Sequence, residues 1–167
     1  MTASPEALSF RARALAQTHP LTALAQQFIE HAVRVEAAVQ TDADVATWAG
    51  AELLAGYCLR RVEENDAELE HQPSPDHTVT LEQLDAAALE VATALRIGDP
   101  TPYLLGDQDE VFVALNGIIV SEIDARLHNF REEMDPAARD EFADYVTAWV
   151  VMGYAVRVAE RELGALM

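Results

Sequence analysis

The residue pattern with the most chemical content centres on Glu52. A helical period carries Val45, Trp48, Ala55, Leu59 and Val62 along one side of a helix, and Glu52 falls on that side, four residues after Trp48 and three before Ala55. A carboxylate at such a position must find a partner or give up its charge. Trp48 and Tyr57 share its helix, while Tyr145, Trp149 and Tyr154 lie on the last helix of the chain. Rings with polar ends around one inward carboxylate are what a pocket for a small cationic or polar ligand requires. His31 flanks the apolar stripe of an earlier helix and is a further candidate to face that interior. The candidate ligand-binding residues are therefore Glu52, Trp48, Trp149, Tyr57 and His31. The competing account is plain core packing, with a hydrogen-bonded structural histidine.

Other constellations carry less. A di-iron bundle wants inward Glu on four helices and Glu-x-x-His on two of them. The only such spacing here is Glu68 to His71, at a helix end just before Pro73, and neither Glu52 nor Glu122 has a histidine three residues on. His19, His71 and His77 fall at helix ends or in loops, and His128 follows Asp124 by four residues as a surface pair would. His-Glu-x-x-His, Gly-rich phosphate loops and Gly-x-Ser-x-Gly elbows are all missing. Cys58 lies in mid-helix without an adjacent base. Glu30–Arg34 and Glu122–Arg126 read as exposed i,i+4 support worth ~0.2–0.5 kcal/mol each. The expectation is thus no catalytic residue, no metal and no cofactor.

The elements that must position Glu52 are helices. Ser4-Pro5-Glu6 opens a short one to about Thr18, and a second runs from about Leu21 to Gln40 with the stripe Leu24, Phe28, Ala32, Val35 and Val39. Thr41 and Asp44 are spaced to cap a third, extended to about Glu70. The stretch around 71–80, with Pro73 and Pro75, reads as a linker. Thr80 and Gln83 form a capping box for a fourth helix with Leu81, Leu84, Ala88, Val91 and Leu95 inward, ended by Gly98. Asp107 and Glu110 open the fifth, striped by Phe112, Leu115, Ile119, Ile123, Leu127, Phe130 and Met134. Asp135 and Pro136 are N-cap and first-turn residues of the sixth, whose stripe is Phe142, Tyr145, Trp149, Met152, Val156, Ala159 and Leu163.

These elements predict one all-α domain over residues 1–167, a bundle of about six helices. The order short, long, long occurs twice. Gly56-Tyr57 with Arg60 matches Gly153-Tyr154 with Arg157 at a shift of 97 positions, and Trp149 stands where the shift would put a second Glu52. A duplicated three-helix unit with pseudo-twofold symmetry is one explanation; chance likeness of Ala-rich amphipathic helices is the other.

Charge narrows the partners. There are 29 acidic residues against 11 basic ones, all arginine, for a formal charge of −18. Such a surface repels phosphate backbones and anionic lipids, so neither nucleic acid nor membrane is expected, whereas a basic protein could be attracted. The lone cysteine excludes an intrachain disulfide. Arg11 and Arg13 interrupt the first residues before an apolar run forms, and the uncharged run Tyr145–Val156 falls short of the ~20 residues a span needs. A cytoplasmic location is expected. The fifth and sixth helices carry apolar residues beyond one stripe, namely Ile118, Val120, Val150, Val151 and Ala155. A non-catalytic interaction module, self-associating as a homodimer, is the function this predicts. The alternative is a small-ligand or metal-binding bundle with its pocket at Glu52.

Overall fold

Local signals set most of the helix ends. In α4 (Leu81–Ile97) the Thr80 side chain accepts from Gln83 N while the Gln83 side chain accepts from Thr80 N, so the capping box is complete. In α6 (Pro136–Glu162) the Asp135 carboxylate accepts from Ala138 N at 2.7 Å, with Pro136 in the first turn. The remaining elements are α1 (Pro5–Ala16), α2 (Ala23–Val39), α3 (Ala43–Asp66), a single 3-10 turn at Thr101–Tyr103 and α5 (Gln108–Leu127). These come from a computed structural model describing residues 5–18, 21–39, 43–66, 79–105, 108–127 and 135–163. The expected Thr41 cap, the linker at 71–78, the Glu68–His71 pair and His19, His77 and His128 lie outside the described residues.

The described residues form an all-helical bundle of six α-helices and contain no strand. Two helices organise it. α6 packs on α3, α4 and α5, and α3 in turn carries α1 and α2, the α3–α6 contact being the most extensive. No helix among the described residues is long and apolar enough to cross a membrane.

The α3–α6 contact is a backbone crossing. A Cβ on Gly56 would overlap the Val150 carbonyl oxygen and lie 2.8 Å from Tyr154 N, and one on Gly153 would overlap the Leu53 carbonyl and lie 2.9 Å from its Cα. Only glycine at both positions lets the two helices meet this closely.

The crossing also shifts the expected inner face of α6: Val156 and Ala159 of the stripe are buried, but its aromatic half only packs against the edge of the core. Phe142, Tyr145, Trp149 and Met152 are half-buried, whereas Val146, Val150, Tyr154 and Arg157 are buried. α6 turns the side bearing Gly153 toward α3, so the deepest positions are those around that glycine, Tyr154 among them. Nor do Ile118, Val150, Val151 and Ala155 await a second subunit, because α6 has neighbours on several sides and the chain buries all four itself. Of that set, Val120 alone stays exposed, at 47 %.

Candidate functional site

Among the described residues seven polar or charged side chains are buried, and four of them, Arg60, Glu63, Arg157 and Glu160, belong to one arrangement at the crossing. On α3, Tyr57, Arg60 and Glu63 succeed one another at steps of three, and on α6 Tyr154, Arg157 and Glu160 do the same. Each set therefore lines one side of its helix, just beyond the glycine. The contacts are exchanged across the interface. Arg60 Nη1 donates to the Tyr154 hydroxyl at 2.8 Å, and Arg157 Nη1 donates to the Tyr57 hydroxyl at 3.3 Å. Each guanidinium also lies over the ring it bonds, 5.2 Å from the Tyr154 centroid and 5.6 Å from that of Tyr57. The phenols pass the interaction on, Tyr154 to Glu63 and Tyr57 to Glu160.

Further partners tie in the periphery. Arg157 Nε bonds both oxygens of buried Glu64, at 2.7 and 3.1 Å, and Arg161 Nε reaches the same carboxylate at 3.4 Å. Arg60 Nη1 also donates to the Tyr103 carbonyl at 2.8 Å, holding the connection between α4 and α5. Glu160 Oε2 accepts from the Thr22 hydroxyl at 2.5 Å, and Thr22 in turn caps α2 by accepting from Ala25 N.

The low-dielectric setting shifts the groups in consistent directions. Burial raises both tyrosines far above the ordinary phenol range, with Glu160 adding to the shift at Tyr57 and Glu63 adding to it at Tyr154. Burial alone would lower Arg157, but Tyr57 and Glu64 outweigh it and hold the guanidinium above its usual value. Burial raises the Glu160 carboxyl, against the pull of Thr22, Tyr57 and Arg157. Tyrosines pushed up in this way stay protonated and donate; they do not supply a base.

The five residues singled out by sequence do not form one site. Glu52 is completely buried, as its period requires. Trp48 and Trp149 are half-buried, and each meets an aromatic ring of α6. Trp48 meets Phe142 edge-on at 5.9 Å, Trp149 meets Tyr145 edge-on at 6.2 Å, and the Tyr145 hydroxyl donates to Glu36 at 2.9 Å. Glu52 and Tyr145 interact electrostatically, which sets the carboxylate near the Tyr145–Trp149 pair. Tyr57 belongs instead to the crossing, with Arg157. His31 is exposed on α2 and does not turn toward the core. Glu30, expected to pair with Arg34, accepts from Gln26 at 2.9 Å. Cys58 is buried, its thiol pushed up to about 12 by burial, which leaves it unreactive at neutral pH.

Sequence reasoning missed Glu63, Glu64 and Glu160. The signal for two of them was present, because the Gly-Tyr-x-x-Arg likeness between α3 and α6 extends one more turn to Glu63 and Glu160. Among the described residues, no group of three or more His, Cys, Asp or Glu side chains could hold a metal ion. Comparison with protein-family models, with curated proteins and with solved structures finds no match.

Proposed function

We propose that this protein is a non-catalytic helical module that works by binding protein, and that its first partner is a second copy of itself. One observation carries the reading: the α1–α5 pair presents apolar side chains to solvent, Phe10 at 74 %, Val113 at 53 % and Val120 at 47 % exposure. Val113 and Val120 are two turns apart on one face of α5. Phe10 follows Ser9, whose hydroxyl docks α1 on the Ala114 carbonyl of α5. Covering three such side chains would remove from water apolar area that the other described residues leave exposed. The ions of the crossing engage one another across helices, which supports a role in fixing helix register. Their reciprocal exchange also supports descent from a duplicated three-helix unit. With one buried cysteine and this charge, we place the protein in the cytoplasm, with neither nucleic acid nor membrane as its target.

Sedimentation equilibrium at micromolar protein and moderate salt tests the proposal. The expected mass is twice the chain's 18.3 kDa, reverting to a monomer in Val113→Asp/Val120→Asp. A monomer across that range for the unaltered chain would refute self-association.

A second reading has its own observation, the Glu36–Tyr145 hydrogen bond beside fully buried Glu52 and two edge-on aromatic pairs. It is a site for a small cationic ligand. Native mass spectrometry showing a retained small molecule, lost in Glu52→Gln, would favour it over the first.

A further inference from the structure

A groove opens where α4, α5 and α6 meet, with a volume of about 280 Å³. Leu95, Leu115, Ile119 and Val151 form its floor, with Phe112 beside them and Asn116 and Thr147 at the rim. It is smaller than the ~300–1,000 Å³ of drug-sized ligand sites and suits one or two anchoring side chains of a docked helix. Its charge is uneven along its length. On α6 the line Val151, Thr147, Asp144, Asp140 runs at steps of four, three and four, so two exposed carboxylates continue the groove wall toward the start of α6. Among the described residues that line the groove, the cation is Arg96, at the end of α4. Arg96 lines the groove itself, whereas Asp144 and Asp140 lie one and two turns beyond Thr147, the groove residue nearest the start of α6. The groove therefore has its cation within it and its carboxylates beyond the Thr147 end.

We propose that this groove docks a cationic amphipathic helix of another protein. Apolar side chains one turn apart enter the depression, and Arg or Lys residues lie over Asp140 and Asp144. The helix runs with its C-terminal end toward Arg96, because the negative end of its dipole and the arginine then attract. The chain's formal charge of −18 steers such a partner in and disfavours acidic peptides in the groove. The proposal rests on the reading of this protein as a binding module, and not on its self-association.

The test uses a fluorescent synthetic peptide of about 18 residues, five helical turns, with leucines on one face and arginines on the other. Fluorescence polarisation at physiological salt should show saturable binding to the full chain. Asp140→Asn/Asp144→Asn should weaken binding about tenfold, as losing two exposed ion pairs implies. Asn116→Arg, at an exposed rim position, should abolish it while leaving the circular dichroism unchanged. A spin label on the N-terminus of the peptide should broaden amide signals near Asp140, and one on its C-terminus those near Arg96. Equal binding of a scrambled peptide of the same composition would reduce the effect to net charge and overturn the proposal. So would indifference to both sets of substitutions. If Asn116→Arg instead dissolves a dimer of the chain, the groove's occupant is a second copy and the proposal fails. Absence of saturable peptide binding by the unaltered chain at an intact dimer mass separates this failure from that of self-association.

Discussion

Gly56→Ala is the smallest change that tests the crossing. The new methyl would overlap the Val150 carbonyl oxygen and come within 2.8 Å of Tyr154 N, both of them backbone atoms. No rotamer change relieves a clash with main chain, so α3 and α6 must separate or slide. Overpacking of this kind costs ~1–3 kcal/mol. Separation also stretches the 2.8 Å Arg60–Tyr154 and 3.3 Å Arg157–Tyr57 bonds, and a hydrogen bond to a charged group is worth ~1.5–3 kcal/mol. Against this, alanine gains ~1 kcal/mol over glycine in a helix interior. With the bonds weakened but not lost, the net loss should be ~3 kcal/mol in urea unfolding followed by circular dichroism. Gly50→Ala is the control on the same helix. Its Cβ would meet side-chain methyls and no backbone, Val33 at 2.9 Å and Ile29 at 3.6 Å, so a small shift of α2 side chains absorbs it and the loss should stay within ~1 kcal/mol, well below that of Gly56→Ala. A Gly56→Ala protein no less stable than the control would refute the account of the crossing.

Three further outcomes follow from the same geometry. Arg157→Met leaves Glu64, Glu160 and the Tyr57 hydroxyl without their shared cation, and should cost ~3–5 kcal/mol in chemical denaturation; a loss under ~1 kcal/mol would show the network to be energetically idle. Glu160 is raised in the folded state, so the native protein binds its proton more tightly than the unfolded chain does. Its contribution should therefore fall as pH climbs from the ordinary carboxylate range through the raised value, and Glu160→Gln should remove that slope. Matching stability–pH curves for parent and variant would contradict the assignment. The Cys58 thiol should resist a maleimide or aromatic disulfide reagent at pH 8 until urea unfolds the chain, and prompt labelling of the native protein would mean that the thiol is neither buried nor raised.

The parts of this fold that could be read from the sequence are those set locally. Thr80 with Gln83, and Asp135 with Pro136, fix helix ends through bonds within one turn, and the structure contains both. Burial of Glu52 followed from period alone. What could not be read this way depends on which side of α6 meets α3, and two glycines decide that. The spacing of apolar residues pointed to Phe142, Tyr145 and Trp149, whereas the closest approach goes to the residue with no side chain. The same choice hid the site. Arg157 and Glu160 look like solvent-facing residues on a helix whose inner side is taken to be aromatic; once Gly153 turns inward they are deep in the interior.

The two clasps at the edge of the network change how the connections between helices should behave. Connecting segments ordinarily open by themselves, at little cost in free energy. Here the Tyr103 carbonyl is held by Arg60 and the Thr22 hydroxyl by Glu160, both of them buried groups on the central helices. Releasing either segment strips a partner from an ion in the interior, a penalty that a loose surface turn never meets. The α4–α5 turn and the start of α2 are thus enrolled in the same cooperative unit as α3 and α6. Their amides should exchange with solvent through global unfolding, on the timescale of the core helices.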